Sequence, residues 1–215
     1  MYRVEVLTPP AAGPVTVTVA ELKGWLRLND TSEADTLGVL LGAAVERFEQ
    51  DTRRPVLATG YRQWVTRWPA WPVVLMRGGV TAVTAVSALA ADGTPTALTG
   101  WRAAVQTPPD RVVLPTGLGP TAGASDPAGG SGVGWPPPDR PTDLPPAVGC
   151  MDFTAGWANA AAVPAMVKVA VRLLAAHWYA VREAYTDGAA LSAVPDGWDR
   201  VCDRYRLGLA GDWGM

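Results

Sequence analysis

The sequence predicts an α+β fold, in which a helical bundle built from both chain ends carries an inserted antiparallel β-subdomain. Apolar residues recur at helical spacing near both ends, whereas the stretch from Tyr61 to Leu114 contains short alternating runs rich in strand-forming residues. The chain has 215 residues, of which 48% are hydrophobic and 18% charged, so it can build a substantial core. We expect N-terminal helices in residues 1–56, the β-subdomain in 57–155, and a long helix, a last helix and a tail in 156–215.

Two helices are predicted near the start of the chain. Thr18-Val19-Ala20-Glu21 is a capping box, in which a hydroxyl and a carboxylate each accept a hydrogen bond from a backbone amide, and Asn29-Asp30 is expected to end this helix. The second helix is predicted from about Thr31 to Thr52, before Pro55. Its apolar stripe consists of Leu37, Leu41, Ala44 and Phe48.

The middle of the chain predicts a small sheet of about four or five strands. Tyr61–Trp68 alternates in polarity, and Val80–Leu89 is followed by Asp92-Gly93, a dipeptide typical of hairpin turns. Prolines hold Trp68 and Trp71 at a predicted hairpin tip, where indoles are poorly placed for a core. We therefore interpret both as candidate contacts with another protein.

A segment rich in proline and glycine follows, from Pro115 to Pro146. Its 32 residues include 9 Pro and 7 Gly, a composition that buries too little apolar surface to offset its ordering entropy. Two interpretations stay open: a tolerated surface insertion, or an arm that becomes ordered against a neighbouring subunit. Trp135 would anchor such an arm.

The longest helical pattern runs from Ala165 to Glu183 and has two sides. An apolar stripe is formed by Met166, Ala170, Leu173, His177 and Val181. A basic stripe on the other side is formed by Lys168, Arg172, Tyr179 and Arg182. A final helix is predicted over Gly197–Leu209, and Leu207–Met215, which includes Trp213, is expected to be a flexible tail.

Composition argues against most catalytic and cofactor-binding classes. The net charge of −2 argues against a protein that holds nucleic acid by bulk positive charge. Cys150 and Cys202 form no Cys-x-x-Cys pair, His177 is the one histidine, and neither a Gly-x-Ser-x-Gly turn nor a phosphate-binding loop occurs. We expect no catalytic residue, metal or cofactor. The start lacks a signal-peptide pattern and no long uncharged apolar run occurs, so no membrane partner is expected.

Two other function classes remain as alternatives. One is a carbohydrate- or receptor-binding module that uses the tryptophan-rich β-region. The other is a hydrolase that uses His177 with Cys150 or Cys202, although no local motif supports it.

The order of several short motifs resembles phage head–tail connector proteins, the adaptor or head-completion proteins of tailed phages and gene transfer agents. Near the start, Thr18–Lys23 with Leu26-Arg27-Leu28 precedes a helix that closes in Glu49–Arg54. The most specific motifs come later: Phe153-Thr154-Ala155-Gly156-Trp157, Val163-Pro164, His177-Trp178-Tyr179 and Tyr205-Arg206. The resemblance covers nearly the whole chain except 115–146, a segment longer and richer in Pro and Gly than the family pattern.

The resemblance implies a structural virion protein of the neck, made in the bacterial host cytoplasm, with no catalytic residue and no cofactor. It implies a ring, typically of twelve copies, that binds the portal protein, extends the DNA channel and docks a stopper or tail-completion protein. Double-stranded DNA would pass without sequence-specific binding. The two-sided long helix suits a ring contact in which its basic stripe meets an acidic face of the next subunit. From the Gly, Asp and Trp content of the C-terminal tail we expect that it engages the portal. The candidate interface residues are Lys168, Arg172, Arg182, Trp68, Trp71, Trp135, Tyr205, Arg206 and Trp213.

Overall fold

Four helices and eight strands make up the part of the chain that the structure, a computed structural model, describes: residues 2–10, 16–28, 33–66, 68, 72–90, 93–106, 109–114, 147–181 and 197–207. The helices are α1 (Val19–Leu26), α2 (Ala34–Thr52), α3 (Ala165–Ala180) and α4 (Trp198–Tyr205). The strands are β1 (Tyr2–Thr8), β2 (Thr59–Val65), β3 (Val73–Val74), β4 (Val80–Leu89), β5 (Pro95–Ala97), β6 (Arg102–Ala104), β7 (Arg111–Val113) and β8 (Gly149–Ala155). The α+β class predicted from the sequence is confirmed.

The strands form two antiparallel sheets. The larger has the order β1-β2-β8-β4-β5, and the smaller has the order β3-β7-β6. Strand β8 comes after the Pro/Gly-rich segment and yet lies between β2 and β4, so the last of the described strands completes the centre of the larger sheet. The expected sheet of about four or five strands is too small for the eight strands described, which lie in two sheets; β1 and the three-residue β5 were not predicted.

Strand β1 extends the sheet at its edge, although residues 1–56 were predicted to supply only helices. It pairs antiparallel with β2, with Arg3 opposite Trp64 and Val4 opposite Gln63. Val4 packs against the β-core, whereas Val6, on the same face of the strand, is 55% exposed, so only the first part of that face is covered. The N-terminal segment therefore contributes to both parts of the fold.

The predicted helix signals in the N-terminal half are largely confirmed. The Glu21 amide donates to Thr18 Oγ1 at 3.1 Å, and the Thr18 amide donates to Glu21 Oε2 at 2.7 Å, which completes the capping box. Helix α1 ends at Leu26, earlier than predicted, because Arg27 adopts a left-handed conformation with φ of 56°. In α2 the whole predicted stripe is buried: Leu37, Leu41, Ala44 and Phe48.

Two hydrophobic cores are joined by a short backbone connection. The helical core is formed by α1 to α4, and the β-core lies between the sheets. The Ala58 amide donates to the Trp157 carbonyl at 2.8 Å, and the Trp157 amide donates to the Val56 carbonyl at 3.1 Å. Gly156 sits in this joint with φ of 105°, and a Cβ there would lie 2.4 Å from the Leu57 carbonyl oxygen. Ala155-Gly156-Trp157 is therefore a turn that requires glycine at its centre.

The C-terminal elements are shorter than predicted. Helix α4 ends at Tyr205 rather than at Leu209. Leu207 is 3% exposed, and its amide donates to the Thr52 carbonyl at 3.0 Å, so the flexible tail cannot begin at Leu207. Residues 182 and 183 of the predicted long helix, and residues 208–215 of the predicted tail, lie outside the described residues.

Candidate assembly interfaces

An apolar groove runs along the outer side of α3 and α4. Met166, Val169 and Leu173 of α3 form one wall, and Val201 and Trp198 of α4 lie across from them. The groove has a volume of about 490 Å³, and almost all of its surface is apolar. Met166 is 48% exposed, although such a side chain is usually covered in a monomeric protein.

The groove corrects the sequence-based assignment of the apolar stripe on α3. The residues that face the helical core are Val167, Ala170, Val171, Leu174 and Ala175. Of the predicted stripe, Ala170 is buried, His177 and Val181 are half-buried, and Met166 and Leu173 point to solvent. Because α3 is apolar on two adjacent sides, helical periodicity could not distinguish the core side from the groove side.

The floor of the groove is held in place by α2. Trp198 is 3% exposed, and its indole Nε1 donates to Asp51 Oδ2 at 2.9 Å. The same carboxylate oxygen forms an ion pair with Arg47 Nε at 2.9 Å. The Trp198 ring also meets Phe48 edge to face, with centroids 6.3 Å apart. These contacts fix the indole, so the groove is a preformed surface rather than a loose contact.

The predicted basic stripe of α3 lies against α1 of the same chain. Lys168 and Arg172 are half-buried, and the Arg172 guanidinium stands 5.4 Å from the centroid of the Trp25 ring. Hydrogen bonds with Thr18 lower the pKa of Glu21, and the charges of Arg172 and Lys168 lower it further. The Tyr179 hydroxyl on this stripe donates to the Glu33 carboxylate. Much of the acidic surface that meets this stripe therefore belongs to the same chain.

Trp68 has an intramolecular position. Its indole packs over β8 so closely that a Cβ on Gly149 would lie 2.1 Å from Trp68 Cζ2. Trp101 also packs against the β-core, so two of the three described tryptophans of the β-subdomain have their faces partly covered there. A carbohydrate platform needs exposed indole faces, and these two do not offer them. Trp71 lies outside the described residues.

Tyr205 belongs to the joint between the two cores. Its ring lies 5.7 Å from that of Trp157 and 6.1 Å from that of Phe48. The Arg54 guanidinium lies over the Trp157 ring at 4.2 Å and near Tyr205 at 5.7 Å. Burial lowers the pKa of Arg54, while the negative charge of Asp110 opposes that shift. Sequence reasoning missed this cation–π contact, since Arg54, Trp157 and Tyr205 are far apart along the chain.

The remaining predicted interface residues divide into one that is described and three that are not. Arg206 is half-exposed and forms an ion pair with Asp203 at 3.4 Å, one turn earlier on α4. Arg182, Trp135 and Trp213 lie outside the described residues.

The thiols do not support the hydrolase alternative. Cys150 and Cys202 are both buried, and burial raises the pKa of both, that of Cys202 to about 12. Both groups stay protonated at neutral pH, whereas a cysteine nucleophile reacts as the thiolate. Within the described ranges, His, Cys, Asp and Glu form no group of three that could hold a metal ion. None of the described helices is long and apolar enough to span a membrane.

Comparisons with known proteins identify the fold. No protein-family model matches the chain, and no curated protein matches it. The chain is similar to one in the neck of an empty gene transfer agent (GTA) particle computed with C6 symmetry, with a TM-score of 0.66 and 25% identity over 97% of both chains. It is also similar to a chain of the native GTA virion, with a TM-score of 0.65 and 27% identity over 96% of both chains. A third, from the neck of a native GTA particle computed with C12 symmetry, gives a TM-score of 0.62 and 26% identity over 97% of both chains. The fold described above is therefore shared, over nearly its full length, with structural chains of GTA particles.

Proposed function

We propose that this chain is a structural protein of the neck of a tailed phage or gene transfer agent, where it forms an adaptor ring below the portal. The observation that carries the proposal is the similarity to neck chains over 97% of both partners, with no large unmatched region on either side. The C6 and C12 symmetries of those necks support a closed ring, and we expect twelve copies.

The surface chemistry of the chain supports an assembly role. A preformed apolar groove on a soluble fold marks a contact with another protein, because exposed apolar patches of this kind are otherwise unfavourable in water. The net charge of −2 suits a channel wall along which DNA slides, since extensive phosphate neutralisation would hold the DNA in place.

The finer roles in the proposal are binding to the portal protein on one side and docking of a stopper or tail-completion protein on the other. We assign portal binding to the C-terminal tail. Because Leu207 is buried and bonded to Thr52, the tail to be tested begins at residue 208. Removal of residues 208–215 is expected to abolish portal attachment while the unfolding midpoint stays within a few degrees of the wild type.

The test is localisation of the chain in particles produced by the host of this protein. Electron cryomicroscopy of particles that carry a tagged copy should place the tag in a ring between head and tail. Particles from a strain lacking the chain should have full heads without attached tails, and a plasmid copy should restore attachment. Normal tailed particles in the deletion strain, or a tag located elsewhere in the particle, would refute the proposal.

A further inference from the structure

We infer that the α3–α4 groove of one copy receives the outer face of α2 of the next copy in the ring. This inference rests on the proposed function and names the two surfaces that would build the ring. In a heterologous contact each subunit presents two different patches, one donor and one acceptor. The groove is the acceptor patch, and the donor must be an exposed apolar ridge of complementary charge elsewhere on the same chain.

The outer face of α2 has those properties. Val39 is 72% exposed, the most exposed large hydrophobic side chain among the described residues. It lies two positions from both Leu37 and Leu41, about 200° around the helix from each, so it points directly away from the helical core. Gly42, which is exposed and has nothing within 4 Å of its Cβ position, leaves Val39 projecting as an isolated apolar knob.

The charges around the two patches are opposite in sign. Asp35 and Glu46 are exposed and lie four residues before and seven residues after Val39, on the same face of α2. On α4, exposed Arg204 lies three residues after Val201, about 60° around the helix from it, and exposed Arg200 lies one turn before Arg204 on the same side of the helix. An acidic ridge with an apolar centre thus matches an apolar groove with a basic rim.

The acidic residues of α4 do not cancel that rim. Asp199 and Asp203 each lie two positions from Val201, which places them about 200° around the helix from it. Asp203 is moreover paired with Arg206. The groove side of α4 is therefore basic, and its far side carries the acids.

The two patches lie on opposite sides of the helical bundle, as a ring requires. Helices α2 and α3 pack against each other through their buried residues. The groove wall continues from Ala170 round to Val169, which lies two positions, about 200°, from both Val167 and Val171, so its outer part points away from α2 just as Val39 points away from α3. In such a ring, α2 of each copy lies in the α3–α4 groove of its neighbour, and the series of contacts closes around the ring axis.

The inference is tested by disulfide cross-linking of the full chain in assembled particles. A variant with both Val39→Cys and Leu173→Cys is oxidised in particles, and the neck proteins are separated under non-reducing conditions. Both native cysteines are buried, so the introduced thiols react first. We expect a ladder of covalent oligomers that collapses to monomer on reduction. Val39→Cys with Val169→Cys provides a second pair, in case Leu173→Cys alone weakens assembly.

A matched control separates a specific contact from random collision. Val113→Cys replaces Leu173→Cys in the control pair, because Val113 is 41% exposed but lies on β7, away from the groove. The single variants should give no ladder, since the contact joins different patches. The inference is overturned if the neck assembles normally but neither test pair cross-links. It is also overturned if the control pair cross-links as well as the test pairs. Both outcomes leave the proposed function intact. Absence of the chain from necks would instead refute the proposed function and this contact with it.

Charge reversal gives an independent readout. Glu46→Arg is expected to lower incorporation into necks tenfold or more, because it places a cation against the basic rim. Adding Arg204→Glu should restore incorporation to within threefold of the wild type. Equal unfolding midpoints for the purified variants show that folding is unaffected. Unchanged incorporation of Glu46→Arg, or no rescue by the second change, contradicts the proposed charge match.

Discussion

Replacement of Gly156 by alanine is expected to weaken the joint between the two cores. The backbone there has φ of 105°, a conformation that costs a residue with a Cβ about 1–3 kcal/mol. The new Cβ would also lie 2.4 Å from the Leu57 carbonyl oxygen and 2.6 Å from its carbonyl carbon. Both are backbone atoms, so no rotamer change relieves the overlap. The chain must shift and lengthen the 2.8 Å bond between the Ala58 amide and the Trp157 carbonyl, at about 0.5–1.5 kcal/mol.

These contributions add to a loss of about 1.5–4.5 kcal/mol from the free energy of unfolding, a large share of the stability of a typical domain. Urea titration followed by tryptophan fluorescence measures it, because Trp157 adjoins the joint. Gly24→Ala is the matched control. It sits inside α1 with nothing within 4 Å of its Cβ position, so it should gain about 0.5–1 kcal/mol. A Gly156→Ala protein within about 0.5 kcal/mol of the wild type would refute the account of the joint.

Two further predictions concern the helical core and its pH dependence. Leu174→Ala removes a fully buried side chain and should lower the free energy of unfolding, measured by urea titration, by about 2–5 kcal/mol. Leu173 is 39% exposed in the groove, so Leu173→Ala should lower it by less than about 1 kcal/mol. Similar losses for the two variants would contradict the assignment of the two sides of α3. Burial raises the pKa of Glu49 above the ordinary 4.5, although its carboxylate accepts from the Val56 amide at 2.7 Å. The folded state therefore holds this proton more tightly, and the stability that Glu49 contributes is full below pH 4.5 and is lost as the pH rises through the folded pKa. The free energy of unfolding of the wild type relative to Glu49→Gln should accordingly fall as the pH rises above 4.5 and through the raised pKa, and a difference independent of pH would show that this carboxyl is not desolvated.

Local signals in the sequence predicted the elements whose stabilising contacts are close along the chain. The capping box at Thr18 needs only residues three positions apart, and the α2 stripe needs only one helical face. In each case the deciding contact lies within a few residues, so the pattern contains it.

Elements that depend on distant partners were not predictable in the same way. Strand β1 exists because it pairs with β2, more than fifty residues away, and its own residues alternate too briefly to indicate a strand. Trp68 was interpreted as an exposed tip because its contact, Gly149, lies beyond the Pro/Gly-rich segment. The groove was missed because α3 has apolar residues on two sides, and only the packing of α2 determines which side is buried.

The geometry of the fold bears on how large a ring the proposed contact could close. A twelvefold axis turns each copy by about 30° relative to the next, so donor and acceptor patches must face nearly opposite directions. The donor on α2 and the acceptor on α3 and α4 meet that condition, because each points away from a core that lies between them. The floor of the groove is fixed to α2 through the bond from Trp198 to Asp51, so both patches belong to one rigid helical unit. A rigid unit transmits the same angle to every copy, which favours one closed ring size over a distribution of sizes. Neither patch includes a residue of the β-subdomain, so the surface of that subdomain is left for a different partner.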